Sequence, residues 1–234
     1  MEKLSDGADR MGLCLTSRQV EQFQRYYEEL VRWNRRVNLT TIVEYEEVQV
    51  KHFLDSLTVA PLIADTSGRL LDVGTGAGFP GVPLKIAFPR IALTLVESIK
   101  KKAAFLSHLV DCLGLDGVEV IAGRAETLAH DERYREGYDV AVSRGVADLA
   151  VLAELTLPFC VVGGVAIAMK KGKIEAEVMA ADNAIHTLGG RLREERRVEL
   201  KGLGEDRVLV VVDKVSPTPD RYPRRPGMPK KRPL

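Results

Sequence analysis

The chain has 234 residues, 45% hydrophobic and 29% charged, with 34 Lys and Arg against 33 Asp and Glu for a formal net charge of +1. That is the make-up of a globular chain able to bury a sizeable core, and it excludes a disordered or fibrous one. The cysteines, Cys14, Cys112 and Cys160, form no C-x-x-C pair and the histidines are not clustered, so a reducing compartment and no metal site are expected.

Met1 to Leu15 mixes acids, bases and glycines where a signal peptide would present a basic end and an apolar run. The longest apolar run, Leu155 to Met169, is too short to span a membrane and is broken by Pro158, Gly163 and Gly164. A soluble cytoplasmic protein with no membrane partner is expected.

Thr16 and Gln19 read as a capping box, and Val20, Phe23, Tyr27, Leu30 and Val31 recur at helical spacing, which predicts a helix over 17–37. A second helix is expected over 45–63, from Val48, Phe53, Leu54, Leu57 and Val59. From Arg69 short apolar runs alternate with helical segments, the pattern of βαβ units in a parallel sheet. Strands are predicted at 69–73, 91–96, 118–121, 138–143 and 164–169, with helices at 81–88, 99–113, 125–130, 148–158 and 173–188. The runs 191–200 and 207–214, joined through Gly202 and Gly204, read as an antiparallel hairpin. After Val215 the tail carries Arg221, Arg224, Arg225, Lys230, Lys231 and Arg232 against only Asp220, among five prolines. Such a segment is expected to avoid helix and to lay its charges on an extended strip suited to a phosphate backbone. The division is a helical extension (1–65), a nucleotide-binding α/β domain (66–215) and a basic tail (216–234).

Leu70 to Gly81 reads L-L-D-V-G-T-G-A-G-F-P-G, an apolar strand entering a glycine-dense turn and a helix start. Gly74, Gly76 and Gly78 let the backbone approach a ligand and adopt dihedrals closed to other residues. From Gly76 the string satisfies the dinucleotide fingerprint G-x-G-x-x-G; from Asp72 it matches the D-x-G-x-G-x-G pattern of S-adenosylmethionine (AdoMet) binding. AdoMet has an amine, ribose hydroxyls and no pyrophosphate, so its pocket uses acids. Asp72 is placed for the amine side, while an acid there would repel a pyrophosphate. Glu97, at the end of the second strand, can take both ribose hydroxyls, and Ala125 and Glu126 follow the third strand where an adenine ring would sit. An aspartate capping the next helix, or ordinary helix starts, would leave the same marks. Five βαβ strands with a terminal hairpin give the expected fold: α/β, a doubly wound, mostly parallel seven-stranded sheet of the AdoMet-dependent methyltransferase, Rossmann-like type, with an N-terminal helical extension.

The fourth strand ends in V-A-V-S-R-G-V-A, without the Asn-Pro-Pro-aromatic run of enzymes that methylate exocyclic amines. Cys160 lies in an apolar run with no basic neighbour, which argues against a cysteine nucleophile. An acceptor with a free lone pair, such as guanine N7, needs no general base. Arg144 can then hold a base edge or a phosphate, or simply close a structural ion pair.

Several strings together resemble the small-subunit ribosomal RNA methyltransferase G family, also called glucose-inhibited division protein B. They are Trp33 to Thr40, His52 to Leu57, Leu71 to Pro83, Gly123 to Glu126, Ser143-Arg144, and Arg221 to Gly227 continuing through Pro233. The resemblance implies AdoMet-dependent methylation of guanine N7 in 16S rRNA, at the guanine conventionally numbered 527 near the decoding centre, with 16S rRNA or the small subunit as partner. It carries donor contacts onto Gly74, Phe79, Ala125, Glu126 and Arg144. Family members usually have Leu-Lys-Gly after the fifth strand; here Met169-Lys170-Lys171 keeps Lys170 as an RNA-facing candidate with the tail cations. Asn34, Asn38, His52 and Asp55 fit either RNA contact or internal bonding, the latter favoured for polar groups on packed helices. An NAD-linked oxidoreductase and a noncatalytic RNA-binding protein are the rival readings. No heptad or large apolar stripe argues for a dimer, so a monomer is expected.

Overall fold

The computed structural model describes residues 1–63, 68–145, 147–199 and 206–234. Helix α1 (Glu2–Arg10) precedes α2 (Ser17–Val37), whose N-terminus carries the predicted box. Gln19 N donates to Thr16 Oγ1 at 3.3 Å and Thr16 N to Gln19 Oε1 at 2.8 Å, filling groups the first turn leaves unpaired. α1 was not foreseen; it is short and buries only Leu4, Gly7 and Ala8, too few positions for a visible period.

The helix expected over 45–63 is broken into α3 (Tyr45–Val48), a π-helical stretch (Gln49–Leu54), α4 (Asp55–Leu57) and a 3₁₀ turn (Ala60–Leu62). Its hydroxyls bond backbone carbonyls, Ser56 Oγ to His52 O and Thr58 Oγ1 to Asp55 O, both at 2.6 Å. Pro61, with no N–H, ends the run. The widened turn carries His52, and Asp55 follows it at the start of α4, both buried; π-turns of this kind recur at functional sites.

The sheet follows as β1 (Arg69–Val73), α5 (Gly81–Ala87), β2 (Ala92–Glu97), α6 (Lys100–Leu113), β3 (Val118–Ala122), α7 (Ala125–Leu128), β4 (Tyr138–Arg144), α8 (Leu149–Thr156), a 3₁₀ turn (Leu157–Phe159), β5 (Cys160–Lys171), α9 (Glu175–Thr187), β6 (Gly190–Val198) and β7 (Arg207–Lys214). Its order is β3-β2-β1-β4-β5-β7-β6, with β7 antiparallel to both neighbours, as the hairpin reading requires. Gly202 and Gly204 lie outside the described residues. β5 begins four residues earlier than expected, because Cys160 already pairs with Tyr138. One face of the sheet, through Leu70, Leu93, Val140 and Ile167, packs with Phe23, Tyr26, Phe53 and Phe105 from the helices. The other, through Leu71, Ala141, Ala166 and Val210, packs under α8 and α9. Leu70 and Leu71 are both buried, which is why these strands read as continuous apolar runs.

Strand order reverses between β1 and β4, so a crevice opens beyond the carboxyl ends of these strands, where a doubly wound sheet takes its ligand. α2 packs antiparallel on α6. Between them the buried Glu29 meets His108 at 2.9 Å and Arg32 at 2.5 Å, while Arg25 Nε lies 3.2 Å from Cys112 Sγ. These histidine, cysteine and acid groups were not expected to converge; the two guanidiniums already neutralise the cluster.

The tail departs from the extended strip. Met228–Lys231 form one helical turn, α10, with Pro229 in its first turn, where a missing N–H costs nothing. Among the described residues no helix is long and apolar enough to cross a membrane.

Candidate active site

The turn after β1 forms a cradle. Gly74, Gly76 and Gly78 have φ of 70°, 60° and 101°, the left-handed region closed to most side chains. A Cβ on Gly78 would stand 2.6 Å from Tyr26 Oη and 2.9 Å from Val82 Cγ2. Tyr26 Oη donates to Ala77 O at 2.5 Å, so α2 fixes the turn from behind. Above the cradle is a cavity of about 510 Å³ whose wall includes Gly74, Gly76, Phe79, Glu97, Lys102 and Arg144. That volume suits a nucleoside-sized ligand.

Glu97 is on that wall and already ordered: its Oε2 accepts from Gly76 N at 3.0 Å and its Oε1 from Ile99 N at 2.7 Å. Each oxygen keeps a lone pair for a ligand hydroxyl. Asp72 is placed differently from the expected amine contact. It is fully buried beneath the cradle and is not among the wall residues. Its Oδ2 accepts from Thr75 Oγ1 at 2.7 Å and from Gly81 N at 2.8 Å, tying the turn to α5, which is the helix-capping arrangement. Its Oδ1 has no partner among the described residues, and burial pushes its carboxyl up to about 6.

Ala125 and Glu126 begin α7, next to Glu97, since Ala122 pairs with Glu97 and Gly123 N donates to Glu97 O at 3.0 Å. The Glu126 carboxylate was expected at an adenine ring. Instead its Oε1 accepts the N–H of Gly227 at 2.9 Å.

Arg144, at the end of β4, stands between this cavity and a second one, also about 510 Å³, lined by His52, Asp55, Met169, Lys170, Lys171 and Arg207 among others. Its Nη1 donates to Asp55 Oδ2 at 2.9 Å, and its guanidinium lies 4.8 Å from the Phe79 ring centroid. No acid adjoins Arg144 in sequence; its partner comes from 89 residues upstream. The other Asp55 oxygen accepts from Arg207 Nε at 2.8 Å, so one buried carboxylate orients two guanidiniums. His52 stacks on Phe79 at 4.5 Å, bonds Thr40 Oγ1 through Nε2 at 2.8 Å, and faces Arg144 at 3.3 Å. Burial and the Arg144 charge push its imidazole down to about 3, so it is neutral at pH 7. Asn34 accepts from Leu39 N and Thr40 N at 2.7 and 2.9 Å and donates to Thr40 O at 2.9 Å, which holds Thr40 in place for His52. Asn38 is the left-handed cap of α2. Asn34 and Asn38 thus have internal roles, while His52 and Asp55 also reach a cavity wall.

Lys170 lines the second cavity, with Nζ 2.6 Å from Glu177 and 3.0 Å from Ala147 O. In the tail, Arg221, Arg225, Lys230, Lys231 and Arg232 are exposed, but Arg224 is spent on the protein itself, forked onto Glu154. Cys160 is fully buried with its thiol pushed up to about 12 by burial, so it is not a nucleophile. Sequence reading missed Thr40, Arg207 and Glu154. A single arginine opening the apolar run Val208–Val212 and a single acid inside the apolar α8 were the available signals.

A family model described as rRNA small subunit methyltransferase G matches residues 19–202. The chain belongs to that family. It is 53% identical over 234 residues to the ribosomal RNA small subunit methyltransferase G of Dehalococcoides mccartyi strain CBDB1, and 50% to that of Roseiflexus castenholzii, covering 100% of both chains in each case. Among solved structures it resembles M. jannaschii TYW2 in complex with AdoMet, with a TM-score of 0.52 at 15% identity over 69% of this chain and 77% of that one, a likeness of fold. Membership in the methyltransferase G family removes the dinucleotide reading of Gly76 to Gly81. Gly81 serves close packing instead, since a Cβ there would meet Leu95 at 2.7 Å and Asp72 at 2.8 Å.

Proposed function

We propose that this methyltransferase G family member transfers the methyl group of AdoMet to N7 of a guanine in 16S rRNA, acting in the cytoplasm as a monomer on the rRNA or the small subunit. One observation carries the reading: two cavities meet at a common wall of His52, Arg144 and Gly145, one over a glycine cradle with an acid rim, the other rimmed by Lys170, Lys171 and Arg207. The donor set fits AdoMet. Gly74, Gly76 and Gly78 admit the amino-acid arm, Glu97 suits the ribose hydroxyls, Phe79 gives the cradle an apolar wall, and the Ala125 loop bounds the adenine end. Asp72 supports the cradle from below.

Guanine N7 carries its own lone pair, so no proton has to leave before attack. When bound, AdoMet would supply an electrophilic methyl carbon for N7, with the carbon–sulfur electron pair left on sulfur as S-adenosylhomocysteine and the positive charge passing to the base. A neutral His52 and a cationic Arg144 held by Asp55 fit that requirement, since neither removes a proton and the guanidinium can hold guanine O6 with N7 left open. Exposed Arg221, Arg225, Lys230, Lys231 and Arg232, with Lys170, suit the phosphate backbone.

The test is to incubate the protein with AdoMet and unmethylated small subunits and map N7-methylguanine by borohydride and aniline cleavage. A single new site is expected. No new site, with subunits still bound, favours the noncatalytic binder. Thermal stabilisation by NAD and not by AdoMet overturns the donor assignment.

A further inference from the structure

The tail residues that suggested a strip for RNA make a dense set of bonds to the protein. Glu154 is fully buried in the apolar α8, and three donors converge on it: Arg224 N at 2.7 Å, Arg224 Nε at 2.9 Å and Arg224 Nη2 at 2.6 Å. Tyr222 is buried in the core cluster that includes α8, and two successive carbonyls are held, Tyr222 O by Arg135 Nη1 at 2.9 Å and Pro223 O by His130 Nε2 at 2.7 Å. Arg135 Nη2 also donates to Thr218 O at 2.8 Å. Three residues after Arg224, Gly227 donates its N–H to Glu126. Gly227 has φ 83°, and the turn it makes aims that N–H back at α7.

We infer that the segment from Thr218 to Gly227 is a strap fixing the Gly123 to Glu126 loop against the donor cavity, with Arg224 and Glu126 as positioning residues for the adenosine end of the donor. The loop is held at Gly123 by the backbone bond to Glu97 and at Ala125 by burial, but α7 is four residues long, with no side-chain cap at its N-terminus, so the Glu126 bond to Gly227 fixes its first turn from outside. Its position matters because Gly123 is bonded to Glu97, which lies on the cavity wall. A bidentate arginine on a carboxylate shielded from water is geometrically strict, and a lysine cannot reproduce it. The inference rests on the assignment of that cavity to AdoMet.

The experiment compares full-length wild type with Arg224→Ala, Arg224→Lys and the exposed control Glu132→Ala, well below each melting temperature. Affinity for AdoMet and for 5′-methylthioadenosine, which has the adenosine without the amino-acid arm, is measured by calorimetry. Methylation kinetics are measured alongside. Arg224→Ala is expected to weaken both ligands about tenfold, raising the KM for AdoMet while kcat at saturating donor stays within twofold. Arg224→Lys recovers part of the loss, and Glu132→Ala leaves donor affinity unchanged. A folded Arg224→Ala variant that binds both ligands like wild type overturns the strap, as does one whose only defect is weaker, more salt-sensitive RNA binding. If Arg224→Ala does not fold, Glu126→Ala against Glu126→Gln decides, since glutamine keeps the acceptor for Gly227: equal donor affinity in the two overturns the inference, and loss in the alanine variant alone supports it. Failure of wild type to bind AdoMet refutes the cavity assignment and is thereby distinct from failure of the strap.

Discussion

His52 sits where a catalytic histidine would be sought, yet its surroundings keep it uncharged. Its folded-state pKa is depressed to about 3 from 6.5, so the unfolded chain takes up a proton first as pH falls. The stability it secures is complete above about pH 6.5 and is lost progressively toward pH 3, an expected loss of about 3 kcal/mol by pH 4. Asp72 runs the other way: its pKa is raised to about 6, so its ionisation costs stability as pH rises from about 4 through 6. Because the two oppose each other, the check is a comparison of variants. Chemical denaturation of wild type and His52→Gln at pH 7 and pH 4 should show a smaller acid loss in the variant by about that amount, and equal losses would remove His52 as an acid-sensitive group. Asn34 gives a second prediction. Asn34→Ala frees three hydrogen bonds of the Thr40 turn and should cost about 2–3 kcal/mol in denaturant titrations.

At the scale of elements, the contact between α2 and the glycine turn is the most exposed to test. Gly78→Ala puts a Cβ 2.6 Å from the Tyr26 hydroxyl at a φ of 101°, so a loss of about 2–3 kcal/mol and a raised KM for AdoMet are expected. Adding Tyr26→Phe should return part of the loss by removing the clashing oxygen; strictly additive losses by thermal melts would refute that contact. The elements themselves were largely legible in the sequence. Local signals carried them: the Thr16 and Gln19 box for α2, continuous apolar runs for strands buried on both faces, and the glycines after Val73 for the cradle. The segmented helix around His52 was not legible, because a π-turn leaves no period of its own in the Val48, Phe53 and Leu57 spacing. Nor was the pairing of Asp55 with Arg144 and Arg207, or of Glu154 with Arg224, since partners 70 to 152 residues apart share no local pattern. For the same reason Glu126 was expected at the ligand when its carboxylate faces the tail.

For the whole molecule, the N-terminal helices and Tyr222 of the tail pack on opposite faces of one sheet, and the helices reach both cavities beyond β1 and β4 through His52. Binding to RNA through the exposed cations should weaken steeply with salt, and Lys231→Ala or Arg221→Ala should each lower the log–log slope by about 1 in filter-binding titrations. An unchanged slope removes that residue from the phosphate contacts. Arg144 has a further consequence as the wall between two cavities. With donor and acceptor in these two cavities as proposed, an adjustment of its guanidinium for one occupant would be felt by the other and would link the two binding equilibria. The factor by which donor alters acceptor affinity must equal the factor by which acceptor alters donor affinity, and replacing Arg144 moves both by the same ratio.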